Sequence, residues 1–153
     1  MKNRIPLQII EGRLVLTTVI ECKSLRIQRQ LMEFVIDTGS SNSYLSDIDV
    51  RRLQISIKDR VSKEEVDFGG SRFKQVSLPR IKIYLLKEGI EKEYFSFDIS
   101  LSALKTTKTS VKKAQIAQTL PSILGLDFLK EQKLSLHVIL TEDLAYLKYE
   151  GSV

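Results

Sequence analysis

Residues 34 to 43 read Phe34-Val35-Ile36-Asp37-Thr38-Gly39-Ser40-Ser41-Asn42-Ser43: three apolar residues lead straight into an aspartate, followed by a glycine and small hydroxyl side chains. A hydrophobic strand that ends in this way delivers a carboxylate to the rim of the core. Burying a lone carboxylate is costly unless hydrogen bonds or a shared proton relieve it, and the backbone amide of Gly39 with the hydroxyls of Thr38 and Ser40 could supply the donors. The plainer reading is that Asp37 starts a turn as an Asx-type residue, common for Asp close to Gly. The segment by itself leaves both readings open.

Outward from this segment, apolar residues recur mostly with period two, the pattern of half-buried strands whose successive side chains point to opposite faces. Phe95, Phe97, Ile99 and Leu101 alternate with Tyr94, Ser96, Asp98 and Ser100. Ile81, Ile83 and Leu85 precede them across a turn at Lys87-Glu88-Gly89, which predicts a hairpin. Leu7 to Ile10 and Leu14 to Ile20 flank Glu11-Gly12, and Leu134, Leu136, Val138 and Leu140 alternate with Ser135, His137 and Ile139, so both ends are predicted to be extended. Helix signals are few. Ser46 followed by Asp49 predicts a capped start for a short segment carrying Ile48, Val50 and Leu53, and a second short helix is predicted from Leu126 to Gln132. Between Ser102 and Pro121 the chain turns polar, with Lys105, Lys108, Lys112 and Lys113 and no acidic residue, which predicts a solvated loop.

Composition bounds the possibilities. The chain has 153 residues, 42% hydrophobic and 28% charged, enough for one domain spanning 1–153 with a real core. Its net charge of +5 is mild and its acidic residues are scattered, which rules out a dedicated polybasic tail. A single cysteine, Cys22, excludes an intrachain disulfide, and with a single histidine, His137, there is no Cys/His set for a structural zinc site. No run approaches the ~18 apolar residues of a membrane span, and no signal peptide is read at the start, so a soluble cytoplasmic protein is expected. Aromatic residues are missing between Ser102 and Pro121, where a single-strand binder interleaves them with its charges, so no nucleic-acid partner is expected. Cys22 is read as a small buried or edge residue, and His137 as pointing away from the core together with Ser135.

The sequence Asp37-Thr38-Gly39-Ser40 after three apolar residues resembles the active-site signature of the aspartic proteases, both pepsin-like and retroviral-type. Ser122-Ile123-Leu124-Gly125-Leu126-Asp127-Phe128-Leu129 is similar to the second hallmark of the retropepsins, in which the apolar pair Ile123-Leu124 and Gly125 open a short helix. Val66-Asp67-Phe68-Gly69-Gly70-Ser71-Arg72-Phe73 stands where that family carries its flap, the glycine-tipped hairpin that covers bound peptide. The three resemblances occur in the family's order and span roughly residues 30 to 140. They imply an all-β fold: a closed, mostly antiparallel acid-protease barrel with one or two short helices.

The motif Asp-Thr/Ser-Gly occurs once, whereas the chemistry needs two facing carboxylates. The resemblance therefore implies the retroviral arrangement, a homodimer in which Asp37 of each subunit meets the other at a two-fold axis. The implied function is an aspartic endopeptidase acting on a polypeptide substrate, with no metal and no cofactor. By the same resemblance Thr38 ties the two active-site loops together, Gly39 admits the substrate backbone, and Phe68, Gly69, Gly70 and Phe73 cover the substrate. Ser40 is expected to donate a hydrogen bond to Asp37. The N-terminal segment near Leu7 and the C-terminal segment near Leu147 are expected to interleave between subunits. Asp127 stands where retroviral enzymes place a basic or amide brace, which leaves Arg51 or Arg52 as its expected partner. The alternative is a non-catalytic module that binds peptide or protein on the same dimeric fold.

Overall fold

The structure, a computed structural model, describes residues 3–57, 60, 62–68, 71–89, 91–105 and 119–151. It is mostly β-sheet, with strands β1 (Arg4–Ile10), β2 (Arg13–Cys22), β3 (Ile27–Ile36), β4 (Tyr44–Leu45), β5 (Ser62–Phe68), β6 (Ser71–Ser77), β7 (Ile81–Leu86), β8 (Tyr94–Ile99), β9 (Ser102–Lys105), β10 (Ile123–Leu124), β11 (Leu134–Ile139) and β12 (Leu144–Tyr149). Among the described residues two short α-helices, α1 (Asp47–Arg52) and α2 (Leu126–Glu131), accompany the strands.

The period-two runs form the strands they predict. β1 and β2 make a hairpin about Glu11-Gly12, and β7 and β8 pair from Ile81 opposite Ile99 to Leu86 opposite Tyr94. Inward residues Leu16 and Ile20 of β2, Met32 and Phe34 of β3, and Ile81, Ile83 and Leu85 of β7 fill the main core. A smaller cluster of Tyr44, Phe73, Leu104 and Ile123 lies apart from it, with Val35, Val66 and Leu120 packed against it. Helix α1 starts where Ser46 accepts a hydrogen bond from the Asp49 amide, as its sequence predicts.

Four expectations are corrected. The strands run in the order β11-β12-β1-β2-β3-β10-β4-β9-β6-β5, with β7 joined to β2 and β8 to β7, and β11 and β5 end this path, so among the described residues the barrel is not closed. The sheet also forks at β2, whose one edge pairs β1 at Arg13 to Val15 and then β7 at Val19 to Glu21, while the β3 edge carries a bulge between Ile20 and Cys22. Ser102 to Lys105 is a strand, not loop, because β9 lies between β4 and β6 and buries both Ala103 and Leu104, which removes the alternation that marks strands in sequence. Leu140 leaves the strand for a 3-10 turn, Leu140–Glu142, and is 75% exposed. The termini do not await a second subunit: β1 pairs β12 within the chain, with Ile5 opposite Leu147 and Leu7 opposite Ala145, because the hairpin β11/β12 beyond α2 supplies the partner.

Lys108, Lys112 and Lys113, like Gly69 and Gly70, lie outside the described residues. Cys22 is buried, 3.3 Å from the Ser24 hydroxyl. Ser135 and His137 share the outer face of β11, where the Ser135 hydroxyl lies 2.9 Å from His137 Nε2 and the imidazole stacks on Tyr146. Among the described residues no helix is long and apolar enough to cross a membrane.

Candidate active site

Strand β10 has only two residues, yet it locks the chain's crossing point. It runs parallel to β3, with Ile123 opposite Val35 and Leu124 opposite Ile36, and antiparallel to β4 at Tyr44. The Val35 amide donates to the Ser122 carbonyl at 2.9 Å and the Asp37 amide to the Leu124 carbonyl at 3.1 Å, so the ladder runs up to the aspartate. Both neighbouring strands bury side chains on both faces here, which explains why Phe34-Val35-Ile36 and Ile123-Leu124 are continuous apolar runs.

Beyond that last ladder bond the chain turns. The Gly39 amide donates to Asp37 Oδ1 at 2.9 Å, and the Ser40 amide donates to the Asp37 carbonyl at 3.2 Å. Asp37 is thus an Asx-turn residue and also the end of a core strand; the two readings of the sequence describe one arrangement. A Cβ on Gly39 would lie 3.1 Å from Asp37 Oδ1, so glycine leaves this carboxylate oxygen its room. Asp37 is half-buried, while Thr38 and Gly39 are exposed in the single chain. The Ser40 hydroxyl does not reach Asp37: it donates to the Asn42 carbonyl at 2.7 Å. The expected Ser40-to-Asp37 bond is replaced because the turn points this side chain back along its own loop.

The second hallmark closes on this loop from below. Leu126 and Asp127 amides donate to the Ser40 and Ser41 carbonyls at 2.8 and 3.2 Å, and the Gly125 amide donates to the Ser43 hydroxyl at 2.9 Å. A Cβ on Gly125 would sit 2.5 Å from the carbonyl oxygens of Ser40 and Asn42, so no other residue fits this approach. Asp127 braces the loop, but its partner is neither Arg51 nor Arg52: it accepts from the Ser43 hydroxyl at 2.6 Å and the Ser43 amide at 3.1 Å. The two arginines pair along their own helix, Arg51 with Asp47 at 2.9 Å and Arg52 with Asp49 at 3.2 Å.

Upstream of β10, Ser122 plays the matching part. Its hydroxyl accepts from the Ser46 amide at 2.8 Å and donates to Asp49 at 2.6 Å, with Ser46 and Ser122 both buried. Sequence reading missed the roles of Ser43 and Ser122. The available signal was spacing: Ser43 and Ser46 lie three apart, as do Ser122 and Gly125, and the antiparallel pair Tyr44 and Ile123 sets one pair against the other.

The flap candidates divide. Strands β5 and β6 pair with Val66 opposite Phe73 and Phe68 opposite Ser71, the hairpin predicted there. Phe73, three pairs from the turn end of this hairpin, is buried in the small cluster with Tyr44 and Ile123. A groove of about 620 Å³ runs past Ile10, Leu31, Ile48, Val35 and Leu120 and does not include Asp37.

A strand ending in an Asx-turn aspartate, a two-residue strand threaded beside it and a glycine packed on its loop together make the comparison with solved structures informative. A crystal structure of a retropepsin-like aspartic protease from Rickettsia conorii matches with TM-score 0.53 and 15% identity, over 95% of this chain and 89% of that one. The chain has a retropepsin-like fold. No protein-family model and no curated protein matches the sequence.

Proposed function

We propose that residues 1–153 form one aspartic endopeptidase domain that acts as a cytoplasmic homodimer, with Asp37 of each subunit facing the other across a water. The observation that carries the proposal is the placement of Asp37: a carboxylate at the end of a buried strand, with Oδ1 already held by the Gly39 amide. Two such carboxylates within hydrogen-bond distance share one proton and titrate as a pair, behaviour for which aspartic proteases are the standard example. The ionised member takes a proton from the water, the resulting oxygen nucleophile attacks the peptide carbonyl, and the protonated member gives its proton to that carbonyl oxygen. The amine then leaves with a proton returned through the same pair. No metal or cofactor enters the reaction.

In this reading Thr38 ties the two loops across the axis, Gly39 lets the substrate backbone approach, and the β5/β6 hairpin with Phe68, Gly69 and Gly70 covers an extended peptide. Phe73 supports that hairpin through the small cluster. The substrate binds as an added strand, so main-chain hydrogen bonds supply affinity and alternate side chains supply selectivity. The dimer contact in this reading is the edge of β11 that ends the strand order, since β1 and β12 are already paired on both sides. Val138 and Ile139 at the end of β11, and Leu140 in the turn that follows, are exposed. Antiparallel pairing of β11 with its two-fold mate joins two three-stranded layers, β11-β12-β1 from each subunit, and covers that edge.

The test is hydrolysis of an unfolded protein mixture from acidic to neutral pH by wild type and Asp37→Asn, with fragments read by mass spectrometry. Cleavage by wild type alone, rising more than linearly with dilute enzyme, is the expected result. A folded, dimeric wild type that cuts nothing at any pH replaces this reading with that of a peptide-binding module.

A further inference from the structure

We propose that Asp127 and Ser43 act as one positioning unit for Asp37, an inference that rests on the endopeptidase reading above. The loop from Asp37 to Ser43 is attached at its first residue by the β3/β10 ladder and at its last residue by the Asp127 side chain. Between these ends its anchors are backbone donors from the start of α2, the amides of Leu126 and Asp127 to the carbonyls of Ser40 and Ser41. Asp127 therefore holds the loop twice, once through its own amide and once through its carboxylate.

The carboxylate is fully engaged. Oδ2 accepts the Ser43 amide at 3.1 Å, and Oδ1 accepts both the Ser43 hydroxyl at 2.6 Å and the Phe128 amide at 2.7 Å. The same Ser43 hydroxyl accepts from the Gly125 amide at 2.9 Å, so a directed chain runs from Gly125 N–H through Ser43 to Asp127. Ser43 is buried, where an unmade bond is not replaced by water. Four donors converge on these two side chains, so displacing the end of the loop breaks several hydrogen bonds at once.

The functional consequence follows from symmetry. In a homodimer both catalytic aspartates ride on identical loops, so any displacement of the loop changes the Asp37-to-Asp37 separation from both sides at once. Misplacing a reacting group by about 1 Å costs about 10²-fold in rate. Asp127 does not touch the substrate or the reacting water; it acts through Ser43 on the loop, and its loss is expected in kcat and not in peptide binding. Asparagine at 127 keeps the shape but turns one acceptor into a donor, which must then face either the Ser43 amide or a hydroxyl that already accepts from Gly125.

The experiment compares wild type, Asp127→Asn, Ser43→Ala and the double variant as purified full-length chains on one peptide substrate selected from wild-type cleavage sites. Expected are a fall in kcat of about 10²-fold in each single variant, KM within about twofold of wild type, an unchanged pH profile in shape, and a double variant no worse than either single one, as for residues acting as a unit. Hydrogen exchange read by mass spectrometry is expected to quicken in residues 37 to 43 in both single variants and not in β7 or β8. Full kcat in Asp127→Asn, additive losses in the double variant, or exchange that quickens across the whole chain each overturns the inference while leaving the endopeptidase reading intact. An inert wild type overturns both; should either single variant fail to fold, the other with its exchange pattern decides.

Discussion

Asp37 is held by the backbone of its own turn, and this makes residue-scale outcomes separable. Asp37→Asn keeps a carbonyl to accept from Gly39 but cannot serve as the proton-sharing partner, so cleavage is expected to vanish while thermal stability stays near that of wild type, read by peptide assay and calorimetry side by side. Ser40→Ala is expected to leave the pH profile of cleavage coincident with wild type, because its hydroxyl serves the Asn42 carbonyl and not Asp37; a profile shifted toward neutral pH contradicts that geometry. Gly125→Ala places a methyl 2.5 Å from two carbonyl oxygens of the catalytic loop. Overpacking of this kind costs about 1–3 kcal/mol, and unfolding in urea is expected to show a loss in that range or above. Of these residues the sequence made Asp37, Gly39 and Gly125 legible, since each stands in a short motif that can be read without knowing its tertiary partner. Ser43 and Ser122 were not legible as functional, because a serine with a buried partner and a serine facing water look alike until the partner is placed.

At the scale of elements, the strands with alternating apolar residues were read correctly and β9, which has no alternation, was not. β7 and β8 alternate because solvent takes one side, whereas β9 loses its alternation between β4 and β6. The ligation of β7 to β2 offers a pH test. The Tyr84 hydroxyl donates to Glu21 at 2.7 Å across these strands, and this bond lowers the Glu21 pKa from its ordinary 4.5 and raises that of Tyr84 from its ordinary 10.0. The lowered carboxylate stabilises the fold above pH 4.5 and that contribution is lost as pH falls through its folded value; the raised phenol stabilises it below pH 10.0 and that contribution is lost as pH rises through its folded value. Tyr84→Phe is therefore expected to be less stable than wild type on the plateau between, with the gap narrowing at both ends, as measured by denaturation across pH.

The whole molecule adds what no single element contains. With one Asp-Thr-Gly per chain, the proposed reaction requires two copies, and the edge of β11 that ends the strand order is the proposed contact. Ile139→Lys is expected to shift sedimentation from dimer to monomer and abolish cleavage at dilute concentration, with the circular dichroism spectrum unchanged; a dimer that survives this change and the companion Val138→Lys places the contact elsewhere. The sequence by itself determined the strand-rich class, the two capped or glycine-opened helices and the aspartate at a strand end. Those features are local: period two, a side-chain cap, a turn, a glycine at a helix start. Only the tertiary structure decided that the sheet forks at β2 and stays open, that the chain's two ends pair with each other, and that Asp127 reaches Ser43 instead of an arginine. Each of these joins residues far apart in the chain, where the choice of partner depends on which surfaces the packed sheet brings together and leaves no mark in the local pattern.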